Sequence, residues 1–302
     1  MTIQVRSYDP ARDYQLISSF LLRHYQPENA DGNWLEPIWE YMHGHPYLDR
    51  SALEKIRLWE NDGELVGAVF YESRLGEAFF QFHPAWRHLR QAMLEYAEEN
   101  LSGISNPDGL RILHAFVCDF DEPFRQLVHS RGYRRLAEED RPLYQFRIPD
   151  PFPEIYLPQG FRLTSLAEDP DWAKVDRVLW RGFNHPGPVP VGPDRIEERR
   201  RMFDTPRARR DLKIAVAAPS GEFVAFCGMF YEPIHRYAYV EPVATDPEYR
   251  RLGLGRAAVL EGIRRCALLG ATNAYVGSSQ AFYQSFGFRK TYIEECWLKI
   301  LT

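Results

Sequence analysis

The chain has 302 residues, 45% hydrophobic and 26% charged, with a formal net charge of −5. That length accommodates two average domains or one large one with an ample core, and the acidic balance argues against a broad nucleic-acid-binding surface. No apolar run approaches the roughly 18 residues of a membrane-spanning helix.

Charges in the opening "MTIQVRSYDPARDY" stand where a signal peptide needs an apolar stretch. Cys118, Cys227, Cys266 and Cys296 are scattered, with no CxxC pair. The expected location is therefore a reducing one, cytoplasmic, with the cysteines serving as small apolar residues.

In chain order, "VRSYDPARDYQLISSFL" reads as a strand, a Pro turn and a helix, and "GNWLEPIWEYMHGHPYL" (32–48) as an aromatic-rich segment. His43 and His45 in it lack neighbouring ligands, so no metal is expected. "DGELVGAVFY" (62–71) is a Gly turn followed by an apolar strand. "FHPAWRHLRQAMLEYAEENL" (82–101) ends a strand and opens a helix, and "FRQLVHSRGYRR" (124–135) is a short helix before a glycine. "RIPDPFPEIYLPQG" (147–160), with four prolines and no periodicity, reads as a stiff, extended linker.

Beyond it the same elements return. "FRLTSLAEDPDWAKVDRVL" matches the opening, and "SGEFVAFCGMFY" (220–231) matches 62–71. "TDPEYRRLGLGRAAVLEGI" (245–263) matches 82–101, and "SQAFYQSFGFRK" (279–290) matches 124–135. Four echoes in one order indicate a duplicated domain. Each copy is an α/β (α+β) domain with a central mixed sheet flanked by helices. The expected boundaries are 1–148, a linker at 149–159, and 160–302. Leu254, Ala257, Ala258, Ile263 and Ala267 mark a helix stopped by Gly270; "AYVG" (274–277) is a buried strand, and "QAFYQSF" (280–286) is helical. The basic "EERRRMFDTPRARRD" (197–211) is interrupted by acids and reads as a solvated helix and loop.

The stretch "VATDPEYRRLGLGRAAVLEGIRR" (243–265) carries chemistry. Pro247 ends a strand. Gly253 and Gly255 allow a turn whose N–H groups point toward something approaching closely, and the helix that starts at once aims its positive end at the same spot. Arg250, Arg251 and Arg256 add full charges. The site suits a phosphate or pyrophosphate. A dinucleotide fingerprint does not fit, because the strand ends several residues before Gly253 and no acid follows Glu261 until Glu294. A Walker loop does not fit either, because no Lys-Ser or Lys-Thr follows the glycines.

These residues resemble the GNAT superfamily of acyl-CoA-dependent N-acyltransferases. Its R/Q-x-x-G-x-G/A signature stands as Arg250, Gly253 and Gly255, after a strand and an Asp-Pro turn. A second signature, a Tyr four residues before a Gly-Phe pair, stands as Tyr283 with Gly287 and Phe288. The resemblance implies acetyl-CoA as acyl donor, with its pyrophosphate on the loop from Arg250 through Arg251, Gly253, Leu254 and Gly255 to Arg256. It places the pantetheine arm along the main chain of Val243, Ala244 and Thr245, in a gap between two splayed strands. Ser278 and Ser279 would lie beside the donor, and Tyr283 would protonate the departing thiolate. "GSSQAFY" is shorter than the family's usual run before that Tyr.

The acceptor amine also needs a base. Glu241, read as alternating with Tyr239, Val243 and Thr245 on one strand face, would serve directly or through a water; its alternative role is an ion pair with an arginine. "RGFNHPGPVPVGPDRIEERRRMF" (181–203) falls where the family recognises acceptors, with Asn184 and His185 as candidate contacts.

Laid on the second half, the first has Arg90 for Gly253, Ala92 for Gly255 and Val128 for Tyr283. It is therefore expected to be a degenerate copy kept for packing or acceptor binding. The expected activity is an acetyl-CoA-dependent N-acetyltransferase acting on a small-molecule or peptide amine, with no nucleic-acid or membrane partner. The alternative is a non-catalytic acetyl-CoA-binding or interaction module. The expected assembly is a monomer whose halves dock as a pseudo-dimer, or a homodimer.

Overall fold

The computed structural model describes residues 3–105 and 109–301. The strands of the first half are β1 (Ile3–Ser7), β2 (Arg57–Asn61), β3 (Glu64–Phe70), β4 (Glu77–Phe82), β5 (Gly103–Ile104), β6 (Arg111–Cys118), β7 (Arg134–Arg135) and β8 (Arg141–Arg147). Its helices are α1 (Pro10–His24), α2 (Glu36–Gly44), α3 (Arg90–Asn100) and α4 (Glu122–Ser130). The second half holds β9 (Arg162–Ser165), β10 (Lys213–Ala217), β11 (Phe223–Glu232), β12 (Tyr237–Thr245), β13 (Asn273–Val276) and β14 (Arg289–Leu301). With them come α5 (Trp172–Gly182), α6 (Pro193–Met202), α7 (Leu254–Leu268) and α8 (Ala281–Gln284).

Two compact units result: Met1–Met42 with Tyr47–Leu143 and Thr291–Thr302, and His43–Pro46 with Tyr144–Lys290. In the first, the strand order is β1-β2-β3-β4-β6-β14, with β5 on β6 and β7 on β14. In the second it is β9-β10-β11-β12-β13-β8. Both sheets are mixed, with β4 parallel to β6 and β12 parallel to β13 in equivalent places. The repeat read in the sequence is thus a repeat of topology. Each sheet takes its last strand from the other half of the chain: β14 pairs with β6 from Glu294 to Leu301, and Tyr144–Arg147 of β8 pair with β13. Compactness and chain order therefore divide the protein differently.

The helices form where sequence supplies caps and apolar stripes. Asp9 caps α1, accepting from the Ala11 N–H at 3.0 Å with Pro10 following, and Ile17, Phe20 and Leu21 are buried. Asp171 caps α5, accepting from the N–H groups of Ala173 and Lys174. In the second unit the buried residues Leu254, Ala258, Val259, Ile263 and Cys266 of α7 belong to one core with Ile214, Val216, Ala225, Cys227, Met229, Ala238 and Val240 of the sheet. The proline-rich segment has no regular secondary structure, yet Ile148, Phe152 and Leu157 pack against this core. The arginines of α6 are matched by acids of the same unit: Arg195 and Arg199 pair with Asp176, and Arg200 with Glu197 and Asp204. Among the described residues, no helix is long and apolar enough to cross a membrane.

Candidate active site

Strands β12 and β13 pair only where Tyr237, Ala238 and Tyr239 face Asn273, Ala274 and Tyr275. The divergence beyond that point has a local cause. Cys227 lies opposite Val243 and Met229 opposite Val240, so β12 spends an extra residue against β11, at Glu241-Pro242 opposite Gly228. A bulge of this kind bends a strand and increases its twist. Gly228 is required there, because a Cβ on it would collide with the Glu241 carbonyl oxygen.

The bulge also overturns the alternation read from the sequence. Val243 and Thr245 pair with Cys227 and Ala225, as Val240 does with Met229. They therefore share a face with Val240, not with Tyr239, because paired residues point to the same side and the extra residue shifts the phase by one.

The main chain at the end of β12 is exposed to the gap by the same register. The Asp246 N–H donates to the Val224 carbonyl at 2.9 Å. Bonded and non-bonded pairs alternate along an antiparallel ladder, so Ala244 is tied to Phe226. The N–H and C=O groups of Val243 and Thr245 point away from β11, toward the side that β13 has left.

The turn that follows is built on Asp246, which is fully buried. Its carboxylate accepts from the Glu248 N–H at 3.1 Å and from Arg181 Nε at 2.6 Å, with Arg177 at 3.3 Å. Burial alone would raise its pKa, but these hydrogen bonds and charges outweigh burial and lower it. Arg251 and Gly253 then adopt left-handed conformations, at φ 67° and 80°, and α7 begins. The Ala257 N–H reaches the Gly253 carbonyl, so the preceding N–H groups of the helix have no intrahelical acceptor.

The two loop glycines serve different ends. Nothing lies within 4 Å of where a Gly253 Cβ would be, whereas a Gly255 Cβ would lie 2.7 Å from Thr245 Oγ1. Gly253 meets a backbone need beside open space; Gly255 lets helix and strand end touch. The arginines also divide. Arg250 donates to the carbonyls of Thr245 (3.2 Å) and Gly182 (2.8 Å) and to Asn184 Oδ1 (3.0 Å), bracing the turn. Arg251 and Arg256 are exposed, and among the described residues neither has an ion-pair partner; the Arg256 guanidinium lies over the Phe286 ring. A helix N-terminus with two unpaired guanidinium groups is suited to an anion.

Tyr283 of α8 is 6% exposed, among Phe282, Phe286 and Phe288. Its hydroxyl has no hydrogen-bond partner among the described residues. Burial raises its pKa, and Cys227 and Glu241 add to the rise. Phe282 reaches Gly255, which places α8 beside the start of α7. Glu241, half-buried in the bulge, also acts on Cys227, so Glu241, Cys227 and Tyr283 form one electrostatic neighbourhood. Ser278 Oγ accepts from the Gln280 N–H and the Ser279 carbonyl from Gln284, so this short turn is closed internally. Asn184 is brought to the loop by Arg250, whereas His185 stacks on Trp180 with ring centroids 4.5 Å apart. Sequence reasoning passed over Gly182, whose missing side chain lets α5 touch Ala244, and Gly228. Gly228 was signalled only as a glycine inside an apolar strand pattern, and Gly182, the last residue of α5, carries no such signal. Among the described residues, no cluster of His, Cys, Asp and Glu could hold a metal ion.

The first unit fills the equivalent gap with itself. β4 and β6 pair only from Glu77 to Phe79, and the His83 N–H donates to Val66 as Asp246 does to Val224. Phe82 thus occupies the place of Thr245. Its main-chain groups are met by the Asn33 carboxamide, which donates to the Phe82 carbonyl at 3.0 Å and accepts from its N–H at 2.7 Å. The Trp34 N–H donates to Gln81 Oε1 at 2.7 Å. Arg90, in the place of Gly253, ion-pairs with Asp121 at 2.8 Å. Phe79 lies where the second unit has its bulge and stacks on Phe116.

Residues 172–288 match the model of the acetyltransferase (GNAT) family. No curated protein sequence shows significant similarity to the chain. Among solved structures, a GCN5-related N-acetyltransferase from Sphaerobacter thermophilus is 16% identical, with 99% of this chain and 95% of that one covered and a TM-score of 0.63. A tandem GNAT protein from the clavulanic acid biosynthesis pathway, solved without AcCoA, is 14% identical, with 99% and 98% covered and a TM-score of 0.66. At these identities the likeness is one of fold, and it extends over both halves.

Proposed function

Because residues 172–288 match the model of the acetyltransferase (GNAT) family, we propose that the chain is an acetyl-CoA-dependent N-acetyltransferase with one working site, in its second unit. The observation that carries this reading is the opening of β12 from β13, which leaves the main chain of Val243 and the N–H of Thr245 facing a strand position that β13 does not take, while Arg250 holds the Thr245 carbonyl. An amide-bearing arm such as pantetheine can add there as a strand would. The Asn33 carboxamide on Phe82 is a precedent within the same molecule for an amide in that position. The pyrophosphate then falls on the N–H groups at the start of α7, with Arg251 and Arg256 as counter-charges.

In the reaction, the lone pair of a neutral amine attacks the thioester carbonyl carbon. The C–N bond forms, the C–S bond breaks, and the sulfur leaves as a thiolate. Tyr283, whose phenol burial keeps protonated, supplies the proton to that sulfur. Glu241, directly or through a water, takes the proton that the amine must lose. Asn184 and His185 are proposed on the acceptor side, for a small-molecule or peptide amine. Release of free thiol from acetyl-CoA with a panel of amines tests the reading. Turnover with at least one amine is expected; tight acetyl-CoA binding without turnover on any would leave the binding-module alternative.

A further inference from the structure

A cavity of about 330 Å³ in the second unit is lined by Glu154, Tyr156, Gly253, Arg256, Ala257 and Leu260. Its volume is at the lower end of small-molecule sites, roughly 300–1,000 Å³. Four of the residues belong to the loop and the first turns of α7. The other two belong to the proline-rich segment, outside the region that matches the family.

That segment is anchored. Phe152 and Leu157 pack against the core, while Glu154 and Tyr156, two apart, are both exposed. Tyr156 is 77% exposed, a large aromatic face turned to solvent at a cavity wall. The cavity also holds two charges of opposite sign, Glu154 and Arg256, and among the described residues neither is in an ion pair. Ala257 and Leu260 give the inner wall a small apolar surface. Gly253 belongs both to this wall and to the anion-binding turn, so a ligand held at the start of α7 continues into the cavity.

We infer that this cavity takes the adenosine 3′-phosphate end of the acyl donor, with the interdomain segment as its outer wall. The inference rests on the proposed use of acetyl-CoA. An adenine base has two flat faces and an exocyclic amine; the Tyr156 ring suits one face and Ala257 with Leu260 the other, and the Glu154 carboxylate accepts from the amine. The Arg256 guanidinium suits the phosphate. The segment joining the two halves is then part of the donor site.

The test uses the full-length protein and two thioesters, acetyl-CoA and S-acetyl-4′-phosphopantetheine, with adenosine 3′,5′-bisphosphate as competitor. In the wild type the bisphosphate should compete with acetyl-CoA. Tyr156→Ala should weaken acetyl-CoA binding about tenfold, weaken the competition equally, and leave affinity for S-acetyl-4′-phosphopantetheine unchanged. Glu154→Gln should act in the same direction and less. If Tyr156→Ala affects both thioesters equally, or neither, the adenosine assignment is overturned while the acetyl-CoA reading stands. If the wild type binds neither thioester, the reading of the function is overturned and this inference with it.

Discussion

Gly255 of α7 and Thr245 of β12 approach so closely that a Cβ on the glycine would lie 2.7 Å from Thr245 Oγ1. The contact seats the helix start on the strand end, so the N–H groups that open α7 and the N–H of Thr245 are held as one piece. Gly255→Ala should therefore cost about 1–2 kcal/mol of stability, the range expected for a small overpacking that one side chain can partly relieve. Thr245→Ala in the same chain removes Oγ1 and should recover most of that loss. Denaturant unfolding of the two single variants and the double variant checks it; strictly additive effects would show that the contact is not the cause.

Gly253 makes the opposite prediction. Its φ of 80° stands beside empty space, so Gly253→Ala should cost only about 1 kcal/mol of backbone strain. Gly253→Arg, which copies Arg90 of the first unit, should fold equally well and lose acetyl-CoA binding. Unchanged affinity in the Arg variant would remove the loop from the donor site.

Titration calorimetry should find one acetyl-CoA site per chain, because Asn33 occupies the equivalent strand position of the first unit and Arg90 its turn. Asn33→Ala should leave the stoichiometry at one and lower stability by about 1–3 kcal/mol, since it strands the buried main-chain groups of Phe82. Two equivalent sites in the wild type would refute this.

Tyr283 and Glu241 are distinguished by pH. Tyr283→Phe removes the acid, so turnover should fall roughly tenfold to a hundredfold at every pH with little change in donor affinity. Glu241→Gln removes the base, so its defect should shrink as pH rises and more of the amine is already neutral. Full activity of both variants across the pH profile would leave neither residue a role in proton transfer.

A stability effect is expected in the first unit. Burial raises the pKa of Glu294 to about 7 from 4.5, opposed by Arg141 and by a hydrogen bond from Trp34, with Glu72 adding to the rise. Between those values the folded chain keeps a proton that the unfolded chain releases, so this group's contribution to stability declines as pH rises through the window. Glu294→Gln, which cannot ionise, should gain thermal stability relative to the wild type on going from pH 4 to pH 8. A difference between the two proteins that stays constant over that range would contradict the assignment.

The duplication, the turn at 246–253 and the Tyr283–Gly287–Phe288 group were legible in the sequence because each is a local pattern. Strand and helix periods, an Asp-Pro stop and glycines before a helix all act on the chain within a few residues. The departures of the first half from the second were legible for the same reason, since Arg90 and Val128 stand in otherwise matching runs.

Pairing between distant segments decided the rest. Which sheet takes β14 and which takes β8 depends on free edges, and a strand's own residues do not name its partner. The bulge at Glu241-Pro242 exists through its register against Gly228, so "YVEPVAT" taken alone reads as regular alternation and misplaces Val243 and Thr245. Asn33 is an ordinary loop residue until the fold sets its amide against Phe82. Tyr156 and Glu154 likewise line one cavity with Arg256 only because the proline-rich segment is anchored on the core of the second unit. Local chemistry is written in neighbouring residues; edges, registers and cavities come into being only when separated parts of the chain pack.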